Sequence, residues 1–316
     1  MTDLKWFCMS VTPFTRSGEI DEEGLRGLLH RCIESKLGVL LGSGGEGEGN
    51  ALEPDEARRV YEIGVEECAG KVPVYANLPE EMTARATIQR ARLAMDAGIE
   101  VIHFYTIEGR HGMKPTDAEL RCYLEDVLSE VKRPVGIAIN SGIGYIAKAE
   151  IVADICGKYS QVVELRLTHV PDTYFINLKA LVAPRITFYH QFASGPFNPL
   201  VLGIGGLFGG EANVIPKTCR RFVDLYERKR LDEIAPVYAD IRRFSQYVSS
   251  FGRPTLRAVK MCMKVLKLPG GEGGLRRPYL MPPDEELHKF RDGLLKLHVP
   301  EIDELALAAG LQLPAR

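Results

Sequence analysis

The sequence predicts an α/β protein, a closed (β/α)8 TIM barrel with a helical C-terminal extension. Eight short apolar runs occur before residue 210, and the first four are separated by longer segments with apolar residues at helical spacing. Eight β-α units fit a closed parallel barrel better than an open, doubly wound sheet. The chain has 316 residues, of which 45% are hydrophobic, so it can form one large core.

The strands are predicted where short apolar runs lie between turn residues. They are residues 6–11, 38–41, 73–76, 100–105, 135–139, 162–167, 186–190 and 204–208. Helices are expected to begin at residue types that cap or start helices, namely Asp21, Pro54 with Asp55, Thr83, and Thr116 with Asp117. In such a barrel the chemistry takes place at the C-terminal ends of the strands, so the residues just after each strand are the candidates for a site.

After residue 216 the chain shows no further convincing strand. Residues 217–247, 254–267 and 284–297 have helical patterns, and LPGGEGGLRRPYLMPP forms a loop between the last two. We therefore predict a barrel over residues 1–216 and a helical extension over residues 217–316 that packs on it.

Composition excludes several classes of protein. A formal net charge of −2 gives no electrostatic reason to expect nucleic acid or an anionic membrane as a partner. No apolar run reaches the roughly 18 residues of a membrane helix, and MTDLKWFCMSVTPF is too polar for a signal peptide. Seven cysteines without a Cys-x-x-Cys motif indicate reduced thiols in a cytoplasmic protein. No cofactor and no metal are predicted.

The second strand ends in the glycine-rich stretch LLGSGGEGEGN. Successive backbone N–H groups in such a turn can hold a carboxylate or a phosphate. The alternative is a flexible turn without a ligand, but its place at the C-terminal end of a strand favours binding. The candidate binding residues here are Ser43, Gly44, Gly45 and Glu46.

The sixth strand carries two opposite charges in the stretch VVELRLTHVPDT. Glu164 and Arg166 are two residues apart and so share one face of the strand. An unpaired charge inside a barrel costs several kcal/mol, so we expect the two to pair, or Arg166 to meet an anionic ligand. A structural ion pair that fills a former site is the open alternative.

Two longer segments resemble the dihydrodipicolinate synthase / N-acetylneuraminate lyase family. They are VTPFTRSGEIDEEGLRGLLHRCIESKLGVLLGSGGEGEG and LRAVKMCMKVLKLPGGEGGLRRPYLMPP, and the likeness extends over about residues 5 to 298. The resemblance implies a barrel, usually tetrameric, that makes or breaks bonds next to the carbonyl of a 2-oxo acid. It also implies a Schiff-base lysine at the end of strand 6, a proton-relaying tyrosine at the end of strand 5, and a glycine-rich turn that holds the substrate carboxylate.

Only part of this set is present. Ser43 and Gly44 take the carboxylate-binding places, whereas Arg166 stands at the lysine and Ile139, before a retained Asn140, at the tyrosine. The loop after strand 4, TIEGRHGMKP, also lacks the family's tyrosine. A guanidinium stays protonated, with a pKa above about 12, and cannot form an imine. We therefore expect the protein to act without a Schiff base at this position.

Three histidines lie on or just after strands 4, 6 and 7, namely His103, His169 and His190. Together they could bind a divalent metal, or one of them could act as a general base. Strand faces alternate, which favours a single catalytic histidine over a three-histidine site. His111, in the loop after strand 4, is also expected over the rim.

The family resemblance implies a lyase that acts on a small 2-oxo acid or related carboxylate, and the residues present indicate that it does so without a lysine Schiff base. The expected catalytic residues are Arg166, Glu164, His103 and His190. The expected substrate-binding residues are Ser43, Gly44, Gly45, Glu46, Asn140 and Gln191. A non-catalytic carboxylate-binding or regulatory protein on the same scaffold is the alternative. The family resemblance implies a homotetramer or homodimer.

Overall fold

The described strands pair in parallel, each with the next in sequence, and β8 pairs with β1 to close a barrel. The computed structural model describes residues 4–109, 113–195, 197–252 and 255–315. The strands are β1 (Lys5–Met9), β2 (Gly38–Leu41), β3 (Val74–Asn77), β4 (Ile102–Tyr105), β5 (Val135–Asn140), β6 (Val162–Thr168), β7 (Thr187–Gln191) and β8 (Gly206–Gly209). The predicted TIM barrel is confirmed, with strand bounds within about two residues of the expected ones.

Helices alternate with the strands and then continue beyond them. They are α1 (Glu22–Glu34), α2 (Pro54–Cys68), α3 (Ala84–Asp96), α4 (Asp117–Glu130), α5 (Ala149–Lys158), α6 (Asp172–Leu181), α7 (Phe197–Val201), α8 (Pro216–Glu227), α9 (Leu231–Ser249), α10 (Leu256–Val265), α11 (Asp284–Leu295) and α12 (Pro300–Ala308). Asp21, Thr83 and Thr116 cap α1, α3 and α4 as expected, each with its side chain accepting a backbone N–H. Within the described residues, no helix combines the length and the apolar character needed to cross a bilayer.

The C-terminal part differs from the expectation in two places. The predicted helix over 217–247 is interrupted between α8 and α9, where Lys229 adopts φ 56°. Helix α12 was not predicted from the sequence. Helix α8 follows β8 and packs against β1. The predicted division at residue 216 would assign this helix, which follows the last strand, to the extension. The division stays a prediction.

The interior of the barrel is unusually polar for a core. The outward faces of the strands pack with the helices in a large apolar cluster, whereas Phe7, Met9, Leu40, Tyr189 and Phe208 form a small separate cluster inside. The remaining interior positions include four buried polar side chains, contributed by Asn77, His103, Glu164 and Arg166. Burial of such groups requires internal partners, and these partners position the site.

Two buried side chains stabilise the rim of the barrel through hydrogen bonds. The Asn213 amide donates to the carbonyls of Met9 and Gly210, both at 2.8 Å, and accepts from the Val11 N–H at 3.1 Å, which joins the ends of β8 and β1. On α10, the buried Lys260 ammonium donates to the carbonyls of Thr12 and Gly274 at 2.8 Å and to Glu48. The glycine-rich turn is thereby held between β1 and the C-terminal helices.

Candidate active site

A cavity of about 370 Å³ opens at the C-terminal ends of the strands. The turn after β2, the ends of several strands and the helices α9 and α10 surround it. Its polar side chains belong to Glu46, Asn50, Glu80, Tyr105, Asn140, Thr168, His169, Gln191, Glu211, Ser245, Ser249 and Thr255. No lysine lines it among the residues that the structure describes. The cavity therefore lies where a barrel enzyme has its active site.

The glycine-rich turn offers free backbone donors to this cavity. Gly44 and Gly45 are in its lining, and within the described chain the N–H groups of Ser43, Gly44 and Gly45 donate to no protein acceptor. Ser43 is buried outside the lining and shapes the turn, because its hydroxyl accepts from the Gly47 N–H at 3.0 Å. Two adjacent free donors at the cavity wall suit a carboxylate.

Arg166 lies inside the barrel beneath the cavity and is only 1% exposed. Its Nη2 donates to Asn77 Oδ1 at 2.6 Å and to the Tyr105 hydroxyl at 2.9 Å. The guanidinium also lies against the rings of Tyr105 and Phe208, with Cζ 5.3 Å and 5.0 Å from their centroids. Tyr105 and Phe208 both line the cavity, whereas Arg166 does not. Arg166 therefore contacts the cavity wall from behind, through the Tyr105 hydroxyl and the Phe208 ring.

Tyr105 is the side chain on which this arrangement converges. Burial raises the pKa of its hydroxyl, and the charge of Arg166 opposes that rise. The hydroxyl consequently keeps its proton at neutral pH. Because Arg166 fills one of its acceptor positions, the hydroxyl proton can be donated into the cavity. Tyr105 can thus stabilise negative charge that develops on a bound ligand.

Glu164 and Arg166 do not pair with each other, so that part of the expectation is wrong. Glu164 Oε2 lies 2.7 Å from His103 Nε2, and the Tyr189 hydroxyl donates to Glu164 Oε1 at 3.3 Å. Residues two apart on a strand are separated by roughly 7 Å. His103 lies on β4 and the partners of Arg166 lie on β3 and β4, neither of which is adjacent to β6, so both charges meet these partners across the barrel interior. Burial lowers the pKa of His103, against the opposing effect of Glu164.

This second buried cluster does not contribute to the cavity lining, because neither Glu164 nor His103 lines the cavity. The catalytic roles expected for both stay predictions, and the contacts of both side chains are those of a buried structural pair.

Three carboxyl groups line the cavity instead, those of Glu46, Glu80 and Glu211. Burial raises the pKa of Glu46, and the nearby carboxyls of Glu211 and Glu80 raise it further, while Arg166 lowers it. Burial also raises the pKa of Glu211, whose Oε1 accepts from the Ser245 hydroxyl at 2.7 Å. Carboxyls of this kind retain protons at higher pH than exposed ones, which suits them to proton transfer.

The two predicted amide ligands both reach the cavity. Asn140 and Gln191 are in its lining. Asn140 Oδ1 accepts from the Gly142 N–H at 2.9 Å, and Gln191 Oε1 accepts from the Ser194 hydroxyl at 3.0 Å. Their oxygens are therefore fixed by the protein, which leaves the amide NH2 groups to face a ligand.

The other histidines are dispersed. His190 is two residues after Phe188, which packs in the apolar cluster outside the barrel, so the two share that face of β7. His190 is not in the cavity lining, and its Nδ1 lies 3.0 Å from the Gln191 carbonyl oxygen. The catalytic role expected for His190 stays a prediction. His169 does line the cavity, and His111 lies outside the described residues. Across the described chain, no three His, Cys, Asp or Glu side chains are grouped so that they could hold a metal ion.

The tyrosine position inferred on β5 needs a correction. Ile139 belongs to the apolar cluster outside the barrel, whereas Ala138 pairs in register with both Tyr105 and Arg166. The β5 residue beside Arg166 inside the barrel is therefore alanine. The space next to Arg166 is used by a tyrosine from β4 instead.

Sequence reasoning missed three residues that the site contains, namely Tyr105 as a functional group, Glu80 and Glu211. Each one follows the rule that it should lie at or just after the C-terminal end of a strand: Tyr105 ends β4, and Glu211 comes two residues after β8. A systematic reading of strand ends would have identified all three.

Comparison with known proteins decides the family. The model of the Dihydrodipicolinate synthetase family matches residues 4–296 of this chain. The chain belongs to this family. Family members are lyases, which favours an enzyme over the non-catalytic alternative.

One named relative matches nearly the whole chain, and another matches less than half of it. The 4-hydroxy-tetrahydrodipicolinate synthase of Methanococcus aeolicus is 23% identical over 290 residues, which cover 90% of this chain and 95% of that protein. The protein of the same name from Nitratidesulfovibrio vulgaris is 36% identical over 128 residues, 40% of this chain and 42% of that protein.

Solved structures share the fold. YagE from E. coli K12, a prophage protein of the dihydrodipicolinic acid synthase family solved in complex with pyruvate, has a TM-score of 0.84 at 19% identity and covers 94% of this chain and 99% of its own. CdNal from Clostridium difficile, solved with mannosamine, has a TM-score of 0.81 at 18% identity, with the same coverage. At these identities the likeness shows the fold alone.

Proposed function

We propose that the protein is a lyase that acts on a small 2-oxo acid or related carboxylate, with Tyr105 in place of a lysine imine. The observation that supports this most is the 2.9 Å hydrogen bond from Arg166 to the hydroxyl of Tyr105, which lines the cavity. A charge-assisted hydroxyl of this kind stabilises an enolate oxygen electrostatically. Arg166 acts through Tyr105 and is a positioning residue.

The substrate is oriented by the glycine-rich turn. Its carboxylate accepts from the N–H groups of Gly44 and Gly45, and its 2-oxo group points toward Tyr105. The three lining carboxyls oppose an anion, but burial raises the pKa of Glu211, so this carboxyl holds its proton to a higher pH than an exposed one. The buried Arg166 further offsets the remaining negative charge.

The chemical step uses one base and one proton donor. For carbon–carbon cleavage of a 4-hydroxy-2-oxo acid, Glu46 removes the hydroxyl proton and the C3–C4 bond breaks, which releases an aldehyde. The bonding electrons move to the C2 oxygen, where Tyr105 stabilises the enolate. Glu46 then returns the proton to C3 and yields the shorter 2-oxo acid. A carbon–oxygen lyase would pass through a comparable enolate after removal of the C3 proton.

The test combines turnover with a search for an imine. Native protein is assayed against a panel of 4-hydroxy-2-oxo acids, and separately treated with pyruvate and borohydride before mass spectrometry. We expect turnover without a change in the mass of the protein. A stable adduct of pyruvate mass on any lysine would show that imine chemistry operates.

Tyr105→Phe is the decisive variant. Loss of one oxyanion donor lowers kcat by about 100-fold or more, with the folded state checked by circular dichroism. Tyr145→Phe is the matched control, since Tyr145 packs beside Tyr105 but does not line the cavity. Full activity in Tyr105→Phe would refute the proposed role. Tight pyruvate binding without turnover across the panel would favour the non-catalytic alternative.

A further inference from the structure

A second cavity of about 590 Å³ lies beside the candidate active site. The two cavities share Gly44, Gly45 and Asn50 as a common wall. Since this wall carries the N–H groups that hold a carboxylate, a ligand bound at the turn can extend directly into the second cavity. The second cavity is therefore part of the same binding region.

Apolar side chains dominate the far side of the second cavity. They belong to Phe251, Leu256, Leu275 and Tyr279. Phe251 is 43% exposed and Tyr279 is 62% exposed, so two large aromatic side chains face solvent around one opening. Scattered exposed apolar residues are ordinary, but their grouping around a cavity marks a binding surface.

One positive charge lies at the edge of this surface. Arg257 lines the second cavity and is exposed, and it forms no ion pair in the part of the chain that the structure describes. A guanidinium is attracted to the electron-rich face of an aromatic ring. The wall thus favours a ring over a purely aliphatic chain.

The second cavity is held in shape by buried charges. Glu48, with φ 49°, accepts from the Lys260 ammonium and, at 3.0 Å, from the Arg276 N–H. The Arg276 side chain also donates to the Ala51 carbonyl at 3.0 Å. These bonds fix the segment that carries Leu275 and Tyr279 against the glycine-rich turn, so the binding surface is largely formed before a ligand arrives.

We propose that the second cavity binds the distal part of the substrate and that this part is an aromatic substituent. The proposal rests on the proposed function, because it places the 2-oxo acid end of the substrate at Gly44 and Gly45. It assigns the substrate to the class of aryl-substituted 2-oxo acids. A second copy of this chain could also cover the exposed aromatics, but the wall shared with the active site favours a ligand.

The experiment compares two ligands by isothermal titration. Pyruvate occupies only the turn, whereas 2-oxo-4-phenylbutanoate also reaches the second cavity. We expect the phenyl compound to bind native protein about tenfold more tightly or better. The Phe251→Ala/Tyr279→Ala double variant should lose that gain and keep its affinity for pyruvate.

Leu280→Ala is the matched control, because Leu280 is adjacent and 64% exposed but does not line the cavity. It should leave both affinities unchanged. Equal affinity of native protein for the two ligands would overturn the aromatic assignment alone, whereas absence of pyruvate binding would count against the proposed function. A fall in molar mass of the double variant, with unchanged ligand affinities, would identify a second copy as the occupant and also overturn the assignment.

Discussion

At the scale of single residues, the site depends on Gly44, a backbone position where a side chain would displace residues of the cavity wall. A Cβ at Gly44 would lie 2.2 Å from Glu80 Oε2 and 2.9 Å from Asn50 Nδ2, whereas a Cβ at Gly45 would meet nothing within 4 Å. Gly44→Ala should therefore weaken pyruvate binding by about tenfold, or about 1.4 kcal/mol. Gly45→Ala is the control and should change affinity by less than about threefold. Titration calorimetry measures both, and equal affinities would place the ligand elsewhere.

The carboxyl of Glu211 makes stability depend on pH. Burial raises its pKa from the usual 4.5, so between that value and its raised pKa the folded protein holds a proton that the unfolded chain has released. Stability therefore falls as pH rises through this window, by about 1.4 kcal/mol for each pH unit. Glu211→Gln removes this loss and can keep the bond from Ser245.

The measurement is urea unfolding of native protein and Glu211→Gln at pH 5 and pH 8. The variant should gain stability relative to native protein at pH 8 and gain less at pH 5. Glu34→Gln, at an exposed position on α1, is the control and should show no such difference. A gain that does not change with pH would mean that the carboxyl of Glu211 titrates normally.

The buried charges show how far a sequence can be interpreted at this scale. Strand alternation alone places Glu164 and Arg166 on one interior face, and the structure agrees. Their partners could not be predicted, because Arg166 bonds Asn77 and Tyr105, which are 89 and 61 positions away in sequence. Which strands face each other across a barrel depends on its closure and stagger, and a local pattern carries neither.

At the scale of elements, strands and capped helices were predictable because their signals are local. Asp21, Thr83 and Thr116 cap helices through bonds to residues three positions on. The break between α8 and α9 has no comparable signal, since Lys229 adopts its left-handed conformation without glycine or proline nearby. The ion pair that joins α10 to the glycine-rich turn could not be predicted either, because Lys260 and Glu48 are 212 residues apart.

The ion pair between Lys260 and Glu48 is expected to hold the glycine-rich turn in place. Lys260 is 1% exposed, and Lys260→Met would leave Glu48 buried without its counterion, at a cost of about 3–5 kcal/mol. Lys264→Met, about one turn further along α10, is the control and should cost less than about 1 kcal/mol. Adding Glu48→Gln to Lys260→Met should recover part of the loss. Urea unfolding measures all three, and equal costs for the two lysines would show that the buried pair contributes little.

At the scale of the whole molecule, one face is more apolar than a free surface requires. Ile176 and Leu181 on α6 are 50% and 47% exposed, and Val201 and Leu202 at the end of α7 are 84% and 38% exposed. The two helices are joined by a hydrogen bond from Asn198 Nδ2 to Asp172 Oδ2 at 2.5 Å. Four large apolar side chains on adjoining helices are typical of a surface that associates.

We therefore predict that the chain forms a homo-oligomer through the α6–α7 face. Light scattering should give a mass of two or four times the 35.1 kDa chain. Val201→Asp would bury a charge without a partner in that interface and should shift the mass toward a single chain. Leu307→Asp, at a 60% exposed position on α12, is the control and should leave the assembly intact. A native mass near 35.1 kDa would refute the oligomer, while an unchanged mass in Val201→Asp would place the interface on another face.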